Sequence, residues 1–369
     1  MRVTRIALRD FRNYEAAEVE LADGLTVVAG ANGSGKTNLL EALYFGCTAR
    51  SPRTSNEREL VRRGGEGVAR VVLDLRGNDG EHRIECGFQP GEAKHLAVDG
   101  HRVDSLGAID ERPLVSVFLP ERLELVKGAP AARRAHLDQF VAALWPARAE
   151  TRASYSRALA QRNALVARIR AATAGPAALD AWDAELARHG IRLMADRAEA
   201  VDALRPLFAD LAGRLGLPGR VELRYRPRSG AGTEAELVTE LAERRGADLE
   251  RGFTAHGPHR DELQLLLGEV ALRAYGSQGQ QRAALLALLF AERALLAERR
   301  ARPPLMLLDD VMSELDAERR ELLADLLRSG GQSVITTTEA EHVPGAALAG
   351  ALIRVENGSI AGTARAVAA

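Results

Sequence analysis

The sequence predicts an α/β fold with a mainly helical lobe inserted into it. Three observations support this prediction. Short alternating or wholly apolar segments, typical of strands, fill most of the first 120 residues. From about Ala131 to Arg214, alanine, arginine and leucine recur with helical periodicity. After Gly252 apolar strand-like and helix-like segments alternate again. We therefore expect the two ends of the chain to build one core around the insertion.

The elements follow from these patterns in chain order. Before the lobe we predict one apolar helix, NLLEALYFG, and the strands VTRIALRDF, YEAAEVEL, LTVVAG, VARVVLDL, HRIECGF, HLAVDGHRV (with a turn at Asp99-Gly100) and LVSVFLP. The lobe is helical, with one break at Gly175-Pro176. The stretch VELRYRPRSGAG, still within the lobe, predicts a strand and a loop, and after Gly252 we predict the strands ELQLLLGEVAL, PLMLLDDV, QSVITTT and LIRVENGSI. The expected domain limits are 1–130, 131–250 and 251–369.

Composition excludes several classes of protein. The formal net charge is −1, from 50 basic and 51 acidic residues, so any basic surface for nucleic acid must be local. Cys47 and Cys86 have no metal-ligand spacing, and two reduced thiols are the simpler interpretation. No apolar stretch reaches the roughly 20 residues that span a bilayer. The N-terminus lacks a signal-peptide core. We expect a cytoplasmic protein without a membrane partner.

A glycine-rich loop, GANGSGKT, connects the apolar strand LTVVA to the apolar helix. It satisfies the phosphate-binding pattern G-x-x-x-x-G-K-[ST] in the expected strand–loop–helix context. Glycines let backbone N–H groups converge on phosphate oxygens, and the helix N-terminus adds partial positive charge. Lys36 is expected to reach the β- and γ-phosphates of ATP, and Thr37 to bind Mg²⁺. The predicted nucleotide-binding residues of this loop are Gly30, Ala31, Asn32, Gly33, Ser34, Gly35, Lys36 and Thr37.

Two carboxylates follow a second apolar strand in LMLLDDVMSELD. Ligands of α/β sheets bind at the carboxyl ends of strands, where Asp309 and Asp310 are expected to lie. Asp309 would orient Mg²⁺ or its water. Asp310 would act as general base on the attacking water, or polarise it. Lys36 and Asp310 are thus the predicted catalytic residues, and Thr37 and Asp309 the predicted metal ligands. A solvated acidic turn is the alternative.

A second unusual turn, GSQGQQR, precedes the apolar run AALLALLF. Ser277 suits a helix N-cap, and Gln280 three residues later completes a capping box. A turn that exposes N–H groups and a hydroxyl at a helix N-terminus can bind an anion. The alternative is simply a capped core helix.

The turn resembles the signature motif of ATP-binding-cassette (ABC) ATPases. In that family the motif contacts the γ-phosphate held by the other protomer, so the resemblance implies a head-to-tail homodimer with two ATP molecules between the protomers. It also implies that Ser277, Gly279 and Gln280 bind nucleotide. The sequence departs from the family pattern at Gln278, where glycine is usual, and at Gly276, where leucine is usual.

The order and spacing of the motifs resemble those of the RecF family of ABC/SMC-like ATPases. Ser277 lies 241 residues after Lys36, with a short helical lobe between them. This lobe lacks the CxxC zinc hook that Rad50-like proteins carry in their long coiled coils. The stretches that carry the resemblance are LRDFRNY, GANGSGKTNLLEAL, FLPERLELVKGAPAARRAHLD, YSRALAQRNALV, DAWDAELARHG, GPHRDEL, GSQGQQR and LLDDVMSELD. The fold implied is an ABC-type P-loop ATPase head with an inserted helical lobe.

The resemblance also implies a function. The sequence is similar to a family of cytoplasmic, weakly active, DNA-dependent ATPases. The members of that family bind single-stranded, gapped or duplex DNA and dimerise with ATP. RecR and RecO type mediator proteins are the implied partners, in recombinase loading at gaps and in the SOS response. Thr336 to Thr338 and Glu339 occupy the place of the transporter switch histidine, and the nearest histidine is His342. Since aspartate at position 310 is shorter than the usual glutamate, we expect slow hydrolysis.

Arginines of the lobe are the candidates for DNA contact. Residues 131–200 hold 11 arginines against 7 acids. Arg148, Arg152, Arg162 and Arg170 would form one stripe on a continuous helix, and Arg133 and Arg134 at the entry of the lobe are equally plausible. A solvated arginine surface is the alternative. GPHRDEL, with His256 just before it, contains residue types that can bind a metal or act in catalysis, but their spacing is poor for metal ligands. We therefore favour a structural turn and strand that lies near the nucleotide or the dimer surface.

Two other classes of protein compete with this interpretation. An ATPase-nuclease of the overcoming-lysogenisation-defect type would need a C-terminal nuclease domain, and only about 50 residues follow Asp316. A transporter cassette would have a much shorter distance between the phosphate loop and the signature motif.

Overall fold

The computed structural model describes residues 1–65, 67–106, 112–346 and 349–365. The strands are β1 (Arg2–Phe11), β2 (Tyr14–Glu20), β3 (Leu25–Ala29), β4 (Ala69–Arg76), β5 (Glu81–Phe88), β6 (His95–Val98), β7 (His101–Arg102), β8 (Val115–Phe118), β9 (Val221–Arg226), β10 (Glu262–Leu267), β11 (Val270–Ala271), β12 (Leu305–Leu308), β13 (Ser333–Thr337), β14 (Ala351–Glu356) and β15 (Ser359–Arg365). The helices are α1 (Lys36–Thr48), α2 (Glu124–Lys127), α3 (Pro130–Leu144), α4 (Ala149–Arg170), α5 (Leu179–Arg214), α6 (Glu234–Glu243), α7 (Arg245–Arg251), α8 (Leu272–Tyr275), α9 (Gln278–Arg300) and α10 (Ala317–Ser329).

The predicted strand and helix segments are present, including the helical lobe. α4 ends at Arg170 and α5 begins at Leu179, so the chain breaks at the predicted Gly175-Pro176 position. Among the described residues no helix is both long and apolar enough to cross a membrane. The chain divides into two compact units, residues 1–122 with 296–369, and residues 123–295. The domain limits at residues 130 and 250 stay a prediction.

The first unit contains two six-stranded sheets. One is antiparallel, in the order β2-β1-β4-β5-β6-β7, and the other is mixed, in the order β15-β14-β3-β13-β12-β8. Helix α1 shares one apolar core with both sheets, and Leu39, Leu40 and Leu43 on it are fully buried. A helix covered on several sides must be apolar around most of its circumference, which explains why NLLEALYFG lacks a polar stripe.

Parallel pairing in the mixed sheet brings distant loops together. β3 lies between β13 and β14, and β12 lies between β13 and β8, all in parallel. The register pairs Ala29 with Thr337 and Leu308 with Ile335. The carboxyl ends of β3, β12 and β13 therefore meet at one edge of the sheet, which is the edge where ligands of such sheets bind.

The second unit is mainly helical. Helix α5 runs for 36 residues, and a three-stranded antiparallel sheet has the order β11-β10-β9. Tyr155 of α4, Leu186 and Leu193 of α5, and Leu237 and Leu241 of α6 form a local apolar core. The alanine-rich periodicity of the lobe thus reflects helices that pack on one another.

Candidate functional site

The loop of residues 30–37 joins β3 to α1 and depends on its glycines. Gly33 and Gly35 have φ angles of 79° and 121°, a region that side chains disfavour. A Cβ on Gly30 would lie 2.3 Å from the carbonyl oxygen of Val355. Ala31, Asn32 and Gly33 are exposed at the tip of the loop. The loop conformation therefore favours glycine at both glycine positions of the predicted pattern, Gly30 and Gly35, and also at Gly33.

Lys36 is buried within the loop that precedes it. Its side chain is 7% exposed, and Nζ donates to the carbonyl oxygens of Gly30 at 2.7 Å and Ala31 at 2.9 Å. Burial lowers the pKa of Lys36, and the nearby charges of Asp309 and Asp310 oppose this shift. A desolvated ammonium group would gain strongly from an anion bound beside it, because the anion replaces the water that burial has removed.

Asp309 is held by two hydroxyl groups from distant parts of the chain. The Thr37 hydroxyl lies 2.9 Å from both carboxylate oxygens, although 272 residues separate the two positions. Thr336 of β13 donates to Oδ1 at 2.6 Å. Burial raises the pKa of Asp309, because desolvation penalises its charged form. The predicted metal ligands Thr37 and Asp309 are thus in direct contact.

Asp310 has an unusual backbone and a carboxylate oxygen that lacks a protein partner. Its φ is 44°, and its N–H donates to the Thr336 hydroxyl at 3.0 Å. Within the described residues, Oδ1 is buried and has no hydrogen-bond partner. An unsatisfied buried acceptor is costly and is common where water or a ligand binds. This geometry suits a group that receives a proton from water.

Thr336 is a site residue for which sequence reasoning found no role. Its hydroxyl donates to the Asp309 carboxylate and accepts from the Asp310 backbone amide, so it ties the Asp309 side chain and the Asp310 backbone to β13. The available signal was a threonine in a strand whose five residues are all buried. Buried hydroxyls need partners, so such a position indicates a polar contact.

The turn between β1 and β2 supports the loop from behind. The Tyr14 hydroxyl donates to the Gly35 carbonyl at 3.0 Å, and Asn13 Nδ2 donates to the Ser34 carbonyl at 3.1 Å. The Gly358 amide donates to the same Ser34 oxygen at 2.7 Å. These contacts leave no space for a Cβ on Gly35, which would lie 2.8 Å from Asn13. The LRDFRNY stretch therefore positions the loop.

The turn Gly276–Gln280 lies in the second unit and forms the predicted capping box. The Gln280 amide donates to Ser277 Oγ at 3.2 Å, and the Ser277 amide donates to Gln280 Oε1 at 2.9 Å. Ser277 and Gly279 are exposed at the start of α9. The capping box is confirmed, whereas the role of Ser277, Gly279 and Gln280 in nucleotide binding stays a prediction.

The predicted arginine stripe is wrong at Arg162. This side chain is fully buried on α4, where it pairs with Asp183 at 2.6 Å and Asp248 at 2.8 Å and donates to Thr254 at 2.7 Å. A buried guanidinium that pairs with two carboxylates cannot contact a phosphate backbone. Helical spacing alone gave no information about these acids, because they come from other helices.

The other candidate arginines are also largely engaged within the protein. Arg148 is the residue before α4, so it does not belong to the helix on which the stripe was predicted. Its side chain pairs with Glu199 at 2.6 Å. Arg133 is buried and pairs with Glu262 at 2.8 Å, and Arg134 donates to the Asp261 carbonyl. The half-exposed Arg152 contacts Asp138 at 3.1 Å. DNA contact by Arg152 and Arg170 stays a prediction.

GPHRDEL forms a structural turn and strand, as favoured above. His259 Nε2 lies 2.9 Å from the Thr254 carbonyl and must donate to it, so the neutral ring accepts from the Tyr155 hydroxyl through Nδ1 at 2.7 Å. Asp261 is fully buried, accepts from Arg197 at 3.1 Å, and bonds the Tyr225 hydroxyl. Among the described residues, no group of three or more His, Cys, Asp or Glu side chains could hold a metal.

His259 predicts a loss of stability in mild acid. Burial lowers its pKa to about 4, from about 6.5 in an unfolded chain. The native state therefore binds fewer protons between these values, and stability that is present above pH ~6.5 falls as the pH drops towards 4, by about 3 kcal/mol in total. His259→Gln should flatten this part of a plot of unfolding free energy against pH. The exposed His95→Gln serves as the control, and equal slopes in both variants would contradict the assignment.

The fold and the site define an ABC-type P-loop ATPase head with an inserted helical lobe. Residues 2–360 match the RecF/RecN/SMC N terminal domain. The chain is 37% identical to the DNA replication and repair protein RecF of Streptomyces avermitilis and 38% identical to that of Anaeromyxobacter sp., and each match covers 98% of this chain and 99% of the relative. The chain belongs to the RecF family.

Solved structures agree with this assignment. The structure of the recombination mediator protein RecF with ATP in the RecFOR pathway is 30% identical and has a TM-score of 0.87, covering 97% of this chain and 96% of that one. An SMC head bound to the C-winged helix domain of ScpA is 17% identical, with a TM-score of 0.61 over 99% and 98% of the two chains. The second similarity concerns the fold alone.

Proposed function

We propose that this protein is an ATP-dependent DNA-binding protein of DNA replication and repair. ATP binding drives dimerisation on DNA, and slow hydrolysis releases the DNA. The observation that supports this most directly is the contact of Thr37 with Asp309, with Lys36 and Asp310 beside it. Relatives named DNA replication and repair proteins, at 36–38% identity over nearly the full chain, support the cellular role.

The loop residues fit the phosphates of ATP. Lys36 supplies a desolvated cation, and the exposed backbone at the tip of the loop supplies N–H donors. Thr37 and Asp309 present hard oxygen ligands, which suit Mg²⁺. Two protein ligands leave most of the Mg²⁺ coordination to water and to phosphate oxygens, as is usual for this ion. Bound Mg²⁺ would neutralise phosphate charge during hydrolysis.

Asp310 is the proposed general base. It removes a proton from the water whose oxygen bonds to the γ-phosphorus, and the bond from that phosphorus to the β–γ bridging oxygen breaks. ADP leaves with the bridging oxygen, and the γ-phosphoryl group becomes inorganic phosphate. Its unpartnered Oδ1 is available to accept that proton. The carboxylate of aspartate reaches less far than that of glutamate, so we expect turnover to be slow. Slow turnover suits a switch between dimer and monomer.

Partners follow from the family. DNA, a second copy of this chain, and RecR and RecO type mediator proteins are the proposed partners, in recombinase loading at gaps and in the SOS response. A neighbour described as a recombination mediator in the RecFOR pathway supports this set. We propose a cytoplasmic location. Any DNA surface must use arginines other than the buried Arg162.

Sedimentation with and without Mg-ATP tests the proposal. The protein should be monomeric alone, dimeric with ATP, and then retained by short duplex or gapped DNA. Because phosphate contacts release counterions, this retention should weaken steeply as salt is raised. A chain that binds ATP but stays monomeric with DNA present would contradict the ATP-driven dimer.

Ser277 offers a more specific test of the dimer. Asparagine and aspartate both preserve a helix N-cap, but only Ser277→Asp adds a negative charge against the partner's γ-phosphate. We expect Ser277→Asp to weaken ATP-driven dimerisation by about 100-fold, since a like charge near phosphate costs several kcal/mol. Monomer affinity for ATP should not change in either variant, and Ser277→Asn, which loses the hydroxyl but adds no charge, should weaken dimerisation less than Ser277→Asp does. Equal dimerisation of both variants would exclude contact between this turn and the phosphate.

A further inference from the structure

The outer face of the antiparallel sheet, away from the apolar core, carries charged side chains in rows. Residues that pair directly across neighbouring strands project on the same side of the sheet, so the register defines each row. One row alternates in sign, and its members are Glu20, Arg5, Asp74 and Arg83. Asp74 pairs with both Arg5 and Arg83 at 2.7 Å. The charges of this row compensate one another, so it needs no ligand.

A second row on the same face is cationic. It lies towards the carboxyl end of β1, and its members are Ala16, Arg9, Arg70, Gly87 and His95. Arg9 of β1 and Arg70 of β4 lie directly opposite each other, and both are exposed. Like charges directly opposite each other destabilise a sheet, because their Cβ atoms are only about 5 Å apart. The pairing of the strands therefore gives no reason for two arginines at these positions.

The charge of Arg70 is not compensated by a carboxylate. Within the described parts of the chain Arg70 takes part in no ion pair, whereas Arg76, on the same strand and the same face, pairs with Glu81 at 3.1 Å. Glu85 of the adjacent row forms no ion pair with Arg70 either. Arg70 thus presents a positive charge to solvent, beside a second arginine.

Gly87 keeps the surface of the sheet low beside Arg70. The pairing of β4 with β5 is regular at this glycine, and its φ angle is not in the left-handed region. A Cβ at this position would come no closer than 3.4 Å to another atom, the Cβ of His95, which is an ordinary van der Waals distance. Neither conformation nor packing therefore requires glycine here. A glycine inside a strand often marks a place where a ligand approaches the backbone closely.

We propose that Arg9 and Arg70 bind the phosphate backbone of DNA on this face of the sheet. The inference rests on the proposed function, which needs a DNA surface, and it replaces the arginine stripe that the burial of Arg162 excludes. Guanidinium groups bind phosphate oxygens well, and the small side chains beside them leave room for a DNA backbone. The row contains no Phe, Tyr or Trp on which a base could stack, so this contact carries no sequence preference.

The test compares Arg9→Gln, Arg70→Gln and the double variant with Arg76→Gln as the matched control. The affinity for a short duplex DNA is measured in excess Mg-ATP at several salt concentrations. Each phosphate contact contributes about 0.9 to the slope of log K against log salt concentration. The slope should therefore become shallower by at least about 1 in each single variant and at least about 2 in the double variant. Arg76→Gln, and Arg70→Lys with its retained charge, should keep the parental slope.

Measurements without DNA separate this role from a structural one. Arg70→Gln should melt at or above the parental temperature, because it removes one of two like charges that lie opposite each other. ATP affinity should equal that of the parent in all variants. A lower melting temperature of Arg70→Gln would assign this arginine to the stability of the sheet and overturn the inference.

The outcomes with DNA distinguish the inference from the proposed function. A double variant with the parental slope and affinity overturns the inference and leaves the proposed function intact. An equally shallow slope in Arg76→Gln also overturns the inference, because the loss of any positive charge would then explain the effect. A parent that binds Mg-ATP but not DNA overturns the proposed function, and the inference with it.

Discussion

Lys36→Met is expected to abolish ATP binding while leaving the fold intact. The variant removes a buried cation that lies at the loop and donates to the carbonyls of Gly30 and Ala31. A charge-assisted contact to phosphate contributes several kcal/mol in a desolvated site, so affinity should fall by at least about 100-fold. Calorimetric titration with ATP and with ADP measures the loss.

The melting temperature of Lys36→Met should equal or exceed that of the parent in the absence of nucleotide. Burial lowers the pKa of Lys36, which means that its charge is held at a cost to the ligand-free protein. Lys127→Met is the matched control, because Lys127 is one of only three lysines and is exposed. If Lys36→Met bound ATP like the control, the loop would not be the nucleotide site.

Asp310→Asn is expected to retain ATP and to accumulate the dimer. The substitution keeps the shape of the side chain and removes the carboxylate that accepts the proton from water. Loss of a general base lowers the rate by typically 10²- to 10⁴-fold. Phosphate release in single-turnover experiments measures this change, and sedimentation should show a dimer that persists after ATP addition.

The backbone at position 310 makes this variant informative. Its φ of 44° lies in the left-handed region, which asparagine tolerates well. The hydrogen bond from the backbone N–H of residue 310 to the Thr336 hydroxyl does not involve the side chain, so the variant retains it. Asp325→Asn on the exposed surface of α10 is the control. Hydrolysis at the parental rate by Asp310→Asn would show that another group activates the water.

Local patterns in the sequence were sufficient for much of the fold. The alternation in VTRIALRDF predicted β1, and the apolar segments LTVVA and LMLL predicted the buried strands β3 and β12. The phosphate loop was recognisable because its residues are contiguous and each spacing has a steric reason. The capping box at Ser277 was recognisable for the same reason, since both partners lie within four residues.

Contacts between distant segments could not be predicted in the same way. The arginine stripe was wrong because Asp183 and Asp248, which bury Arg162, lie 21 and 86 residues further along the chain. The partners of Thr336 have no local signal, because they are the Asp309 carboxylate and the Asp310 backbone amide, which follow the neighbouring strand β12. Neither relation has a fixed spacing in the sequence.

The sequence alone therefore determined the phosphate loop, the paired aspartates, the capped turn and the strand–helix order, because these depend on short-range sterics and on the period of side-chain burial. Only the tertiary structure decided that Thr37 bonds Asp309, that Asp310 has a left-handed backbone, and that Tyr275 remains in solvent. The bond between Thr37 and Asp309 arises from strand order, which brings together residues that are 272 positions apart, whereas backbone angles and exposure depend on how the surrounding chain packs.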